Sequence, residues 1–457
     1  MRPFASRINR NQAVYTVTAP GGFIVTPANA TCALSWSASA RTSGYRVYVN
    51  SALVASLPAS ASSYTATGLT NELAHAFRVS AFNINNVESL TAPLIAVPQA
   101  VGSTVRNAVL YPFDSASLWN LGMDSGATFE TSVATKTAAF IATAQPGSGQ
   151  NYYLLTMYSQ YYQPITLAQS TDPTAQITDS GASRDGSPST VSTPVPVDAE
   201  IAVGTDQHMG IVNPARTFIA ENWNTTRASS VLYNVGRYHN VDLKGSGMGP
   251  MNGVRAYGGS MIAGKIREWE VKQGRIDHML SMVVPWTMLY FNPTNSVYGY
   301  ATGGTTTAAD QPGWPAGTAK AGFGTSLGYT WPATEQDYNA QGNYAGVIPM
   351  GSIFAIPPAV DVTALGLNAA GVIVARAMQD YGAMIVDTNG GSNGVNMIQV
   401  DNTAATATFI GQIDDYGATL NVIRQQMRLV TNNLITTPKG GLPASGTRRR
   451  AAPVALV

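Results

Sequence analysis

Residues 32–50, CALSWSASARTSGYRVYVN, read as two short strands around a polar turn, and their reading decides the fold class of the chain. Cys32, Leu34 and Trp36 alternate with Ala33 and Ser35, and Tyr45 and Val47 flank Arg46. Such alternation marks a strand with one buried face. The same texture continues in SYTATGL (63–69) and HAFRVSAFN (75–83), punctuated by Ser, Gly and Asn. Short strands at even spacing predict an antiparallel β-sandwich over 20–98, preceded by an N-terminal arm at 1–19.

Composition sets the outer limits. A chain of 457 residues is long enough for two or three domains, each with its own core. Charged residues make up 11%, under half of the roughly 25% usual in soluble proteins. Hydroxyl-bearing and small residues take their place, as in β-rich extracellular or virion proteins. A net charge of +1 lacks the basic footprint that nucleic acid requires; TRRR at 447–450 is read as part of a flexible tail over 438–457. The single cysteine, Cys32, excludes an intrachain disulfide and a Cys-rich zinc site, and its place in a strand makes it a small buried hydrophobe. The opening MRPFASRINRNQAVYTV has no apolar segment of the secretory kind, and no apolar run is long enough for a transmembrane helix. The expectation is a protein released by lysis, with no membrane insertion.

After the linker APLIAVPQAVGST the texture changes, and 103–437 is expected to form one large jelly-roll or concanavalin-like β-sandwich with one or two edge helices. TFETSVATKTAAFIATA (128–144) and NYYLLTMYSQYYQPITLA (151–168) are strand-like, and 178–200 is a Ser/Thr/Pro-rich loop. In LNAAGVIVARAMQDYG, Asn368 is the expected N-cap, Val374, Ala377, Met378 and Tyr381 the buried stripe, and Gly382 the stop. AMIVD follows as a strand. A second helix is expected over 419–430, with Leu420, Ile423, Met427 and Val430 on one face.

Two of the four histidines have acidic neighbours. His208 lies in VGTDQHMGIVNPARTFIAENW (203–223), beside Asp206 and before Glu221; His278 lies in GKIREWEVKQGRIDHMLSMVV (264–284). If Lys272, Gln273 and Gly274 form a three-residue hairpin loop, Glu268 stands across from His278 on the same face. A two-residue loop would put Trp269 there instead. His208 is expected on a strand of the same domain, opening toward that face. Three chemistries suit Asp206, His208, Glu221, Glu268 and His278: acid–base catalysis on a glycan, a metal site, and a hydrogen-bonded seam that fixes strand register. No HxH or HExxH spacing calls for a metal and no motif calls for a cofactor, and GTSLG at 324–328 lacks the pattern of a nucleophile elbow. The Gly-, Thr- and Asn-rich segment 290–346 carries Trp314, Tyr329, Trp331 and Tyr338, residue types that stack on sugars or pin a loop to a sheet.

Trp36, Gly44-Tyr45, TGL at 67–69 and NxxNVES at 83–89 resemble a fibronectin type III module, with His75 where the family's corner tyrosine would stand. DQHMGIVNP, ENW, GVRAYGGS, GRIDHML, YTWPAT and VIPMGSIFAIPP, followed by ALGLNAAGVIVARAMQDYGAMIVD, resemble large β-sandwich domains of phage tail proteins and secreted bacterial proteins. The resemblance implies that His208, Glu221, Arg255 and His278 matter, with Arg255 contacting ligand. It implies a virion protein of the tail or baseplate, homo-oligomeric, whose partners are other virion proteins and a bacterial surface glycan. The alternatives are a glycan hydrolase or lyase on the same scaffold, and a capsid decoration protein.

Overall fold

The computed structural model describes residues 16–441 except 29, 70–74, 92–93, 97, 99–107, 115–116, 144–151, 158–160, 180–189, 249–252, 292–327, 335, 338–339, 341, 390–394, 402, 415–418 and 435–436. The chain is mainly β and divides into two compact units, Met1–Thr104 and Val105–Leu456, the latter with five α-helices among its described residues.

The first unit contains β1 (Gly21–Ala28), β2 (Thr31–Ser37), β3 (Gly44–Val49), β4 (Ala52–Pro58), β5 (Ser63–Thr67), β6 (His75–Phe82), β7 (Glu88–Leu90) and β8 (Leu94–Ala96). Sheet β1-β2-β5 and sheet β4-β3-β6-β7, with β8 also on β6, give the two-sheet antiparallel order of a fibronectin III-like sandwich. Cys32, Leu34 and Trp36 of β2 face Tyr45, Val47, Phe77 and Val79 across one core. The Trp36 and Tyr45 rings lie 5.5 Å apart, and burial pushes the Cys32 thiol up to about 12. At the corner, Asn50 Nδ2 donates to His75 Nδ1 at 3.1 Å while the Asn50 Oδ1 accepts from Ala76 N at 2.9 Å.

The second unit runs α1 (Thr135–Ile141), β9 (Tyr153–Met157), β10 (Ile165–Leu167), β11 (Thr174–Asp179), β12 (Thr190–Pro194), β13 (Met209–Val212), β14 (Phe218–Trp223), β15 (Thr226–Ser229), β16 (Leu232–Val235), β17 (Arg237–Asp242), α2 (Glu268–Gln273), β18 (Leu280–Val284), β19 (Ile353–Ala355), α3 (Ala369–Asp380), β20 (Ala383–Thr388), β21 (Val395–Gln399), α4 (Ala404–Ile413), α5 (Leu420–Gln426) and β22 (Arg428–Leu429). Sheets β10-β13-β14-β17 and β12-β11-β16-β15 form a sandwich. Its filling comes from both: Ala175, Ile177, Tyr233 and Val235 on one side, Met209, Ile211 and Ala220 on the other. Alternate residues of the first sheet, Val212, Ile219 and Val241, point the opposite way into a larger core.

That larger core also holds a six-stranded mixed sheet, β22-β19-β20-β18-β21-β9, an addition to the architecture read from sequence. β18 and β20 are parallel, as are β21 and β9, and all five residues of β18 are buried. A strand buried on both faces reads as a continuous apolar run. Around this sheet pack α1, α3 and α5. Asn368 caps α3 as expected, its Oδ1 accepting from Gly371 N at 2.8 Å. Gly382, at φ 82°, turns the chain into β20. The helix expected over 419–430 is shorter, because the chain turns extended at Met427 and enters β22, although Met427 and Val430 stay buried.

Two further expectations about local structure are overturned. TKTAAFI at 135–141 is helix α1 rather than strand, its Phe140 stacked on Phe354 with ring centroids 4.2 Å apart. The Arg424 guanidinium of α5 donates to the carbonyls of Phe140, Ala142 and Tyr152, satisfying backbone acceptors at and beyond the helix end. Residues 438–441, expected in a flexible tail, are packed into the unit: Lys439 is buried, its Nζ donating to Leu121 O at 2.5 Å. Residues 442–457 lie outside the described residues.

Candidate functional site

The hairpin expected at 264–284 is a helix. Glu268–Gln273 form α2, and Gly274, at φ 74°, is its left-handed C-terminal stop. Glycine suits that position equally in a hairpin loop and after a helix. Here the carboxylates of Glu268 and Glu270 sit in the first turn and Lys272 in the last, the order the helix dipole favours. Glu268 consequently does not face His278; it pairs with Lys272 one turn on, at the surface. The partner of His278 is Glu270, whose Oε2 accepts from the ring Nε2 at 3.0 Å and from Arg267 N at 3.0 Å. Nδ1 donates to Met279 O at 2.8 Å. Burial works against a charge on this ring, but the Glu270 carboxylate and these hydrogen bonds outweigh it and hold the His278 pKa above its ordinary value.

His208 belongs to a different assembly. It sits one residue before β13, outside the strand, and is 2% exposed. Its Nε2 lies 3.9 Å from Asp206 Oδ2, and its Nδ1 has no hydrogen-bond partner among the described residues. Burial, reinforced by the Arg255 charge and opposed by a hydrogen bond to the Asn222 backbone, lowers its pKa to about 3, so the ring is neutral. No side chain among the described residues hydrogen-bonds to both His208 and His278. The shared site expected from sequence gives way to two centres with separate partners.

The centre around His208 does gather three of the residues singled out from sequence. Glu221 stands between Gly210 of β13 and His239 of β17 in adjacent registers. It is 0% exposed and accepts from Ser260 Oγ, from Met261 N at 2.9 and 3.0 Å, and from Val254 N at 3.3 Å. Burial raises its pKa to about 7 against the opposing pull of these donors. The donors belong to GVRAYGGS (253–260), a loop that closes on itself, and to Met261, which follows it. A Cβ on Gly253 would meet the Gly259 carbonyl carbon and oxygen at 2.2 Å, so the two glycines let the strands of the loop touch. Closure turns Arg255 and Tyr257 inward. Arg255 Nε lies 3.0 Å from Asp387 Oδ2. With the Gln399 amide oriented by its network, its oxygen accepts from Arg255 Nη1 and Nη2 at 3.0 and 2.9 Å. The Asp387 carboxyl is pushed up by burial, with Arg255 acting in the other direction.

His239, absent from the sequence reading, shares this face of the sheet. Arg237 Nε donates to His239 Nε2 at 3.0 Å. Its cross-strand position opposite Glu221 depends on the β14–β17 register, which no local spacing reveals. The arrangement can anchor a loop and balance charge inside the domain. Reaching a polymeric substrate would require a route past the covering chain, because Glu221, His208, Arg255 and Tyr257 are all buried.

The aromatic binding surface expected from 290–346 is reshaped as well. Tyr329 is 1% exposed and Trp331 is 5% exposed, and both belong to the main core, where their faces pack against protein. Trp314 and Tyr338 lie outside the described residues.

No protein-family model matches the chain, and no curated protein matches it. Among solved structures it is similar to the spore cortex lytic enzyme SleM of Clostridium perfringens, at 22% identity over 18% of this chain and 28% of that one, with a TM-score of 0.17. It is also similar to the FN5 domain of Drosophila Lar, at 16% identity over 18% of this chain and 98% of that one, TM-score 0.16. An Fn3-like protein from Clostridium thermocellum matches at 24% identity over 18% of this chain and 95% of that one, TM-score 0.15. The chain spans under two fifths of the length of the first solved structures it matches. These likenesses concern fold alone and assign no activity; the fibronectin III-like character of the first unit rests on its own strand order.

Proposed function

We propose that this chain is a non-catalytic structural protein of a bacteriophage particle, in the tail or baseplate. The fibronectin III-like unit serves as spacer or docking module, and the large domain contributes to binding a host-surface glycan. The observation that carries the non-catalytic part is the sealing of the acid–base candidates: Glu221 and Glu270 have no exposure, and their donors come from the chain itself. General acid–base catalysis needs a group within hydrogen-bond reach of substrate. The particle assignment is supported by the module order and by a surface kept wet with few charges, 11% of residues. Proteomics of purified particles from the source tests it. The chain is expected among the tail or baseplate proteins; its absence from intact particles would reject the reading, and its recovery with capsid would favour a decoration protein.

A glycan-degrading enzyme is the second reading, and one observation favours it. A carboxyl near pKa 7 lies in the same buried centre as a neutral histidine and an arginine, protonation states suited to acid and base roles. Incubating the full chain with host envelope polysaccharide separates the readings. Binding with neither new reducing ends nor unsaturated uronate supports the structural protein, whereas turnover abolished by Glu221→Gln in a folded variant supports the enzyme.

A further inference from the structure

A cavity of about 20 Å³ lies beside α2, walled in part by Tyr111, Phe113, Trp119, Lys265, Arg267 and His278. It has room for one water-sized particle, which takes about 10–15 Å³. Two features of the residues around it point to what fills it. The Trp119 indole is buried and its Nε1 has no hydrogen-bond partner among the described residues, although an indole N–H can only donate and buried donors are normally satisfied.

Charge is the second feature. Lys265 and Arg267 share one carboxylate, Asp401, at 3.0 and 3.1 Å. His278 has its own in Glu270. Two cationic side chains therefore meet one directly bonded carboxylate. Asp277, next to His278, is matched by its ion pair with Arg275, and Glu200, which acts on Lys265 from further off, is exposed and screened by solvent. Both ring nitrogens of His278 are already hydrogen-bonded, so the ring offers the cavity no donor.

We infer that this cavity is a binding site for one small monovalent anion, of the halide class, which accepts from Trp119 Nε1 and is held by the field of Lys265 and Arg267. The site is independent of the His208 centre and of the particle assignment. Its test uses the full chain in two measurements. Crystals soaked in sodium bromide are expected to show an anomalous peak in the cavity. The thermal midpoint is expected to rise in bromide over gluconate at equal ionic strength, saturating at roughly 1–3 °C, since a ligand that binds only the folded state stabilises it. Trp119→Phe keeps an aromatic ring and removes the donor, so the bromide-specific rise should vanish. Density without anomalous signal, meaning a water, overturns the proposal. A midpoint that follows ionic strength alone overturns it too, even with a bromide peak, which would then be binding at crystal concentration only. Should Trp119→Phe fail to fold, the peak and the wild-type salt comparison still decide.

Discussion

Replacing Glu221 with glutamine should expose an opposing pair of titrations that cancel in the wild type. The Glu221 carboxyl rises from 4.5 to about 7 on folding, and the His208 imidazole falls from 6.5 to about 3. For Glu221 the folded state holds a proton that the unfolded chain releases. Its stabilising contribution is full below about pH 4.5 and is lost as pH rises through about 7. For His208 the unfolded chain takes a proton that the folded state refuses. That contribution is present above pH 6.5 and is lost as pH falls through about 3. Between pH 4.5 and 6.5 the slopes are opposite, each about 1.4 kcal/mol per pH unit. Over that window each amounts to about 3 kcal/mol, and the wild-type contribution of the pair is flat. Glu221→Gln removes one slope. Its amide NH2 also faces backbone donors, a mismatch that costs about 1–3 kcal/mol. The variant should therefore be destabilised most at pH 4.5 and recover by about 3 kcal/mol relative to wild type at pH 6.5. Urea unfolding at pH 4.5, 5.5 and 6.5 measures this, with all other titrations cancelling in the difference. Parallel stability profiles for the two proteins would refute the reasoning.

Other substitutions test the remaining assignments by the same denaturation assay. Glu270→Ala leaves His278 buried without its carboxylate and should cost about 3–5 kcal/mol, whereas Glu268→Ala, at the surface, should change stability by less than about 0.5 kcal/mol; equal effects would restore the hairpin pairing. Arg424→Lys gives up the fork that reaches the carbonyls of Phe140, Ala142 and Tyr152, with an expected loss of about 2–4 kcal/mol. Asn368→Ala removes the α3 cap and should cost about 1–2 kcal/mol, with a matching loss of helical circular dichroism.

What the sequence disclosed follows the range of the forces involved. Strands β2, β3 and β6 were legible because alternation is local, and α3 because Asn368 and Gly382 bracket a helical stripe. Helix α4 was overlooked although Thr403 and Thr406 form a capping box there, since AATATF mixes alanine with β-branched residues. At α2, an alternating run downstream, Ile276 to Val284, lent its strand character to the segment before Gly274; the charge order of Glu268, Glu270 and Lys272 was the signal for helix. His208, Glu221 and Arg255 were identifiable as a set, but His239 and Asp387 join them through pairings between distant strands. No periodicity encodes those.

The β9–β21 pairing bears on how the second unit is made. Asn396 Nδ2 donates to Tyr153 O across 243 positions, and Asn432 Oδ1 accepts from Thr128 N across 304. At about 5–20 residues per second, β9 waits roughly 10–50 s on the ribosome for its partner to be synthesised. Throughout that interval its open edge can pair with another nascent chain. The unit closes only when the 428–432 segment has emerged and met residues 128–130. Slower translation lengthens that wait, and chaperone cover of the β9 edge shortens its exposure.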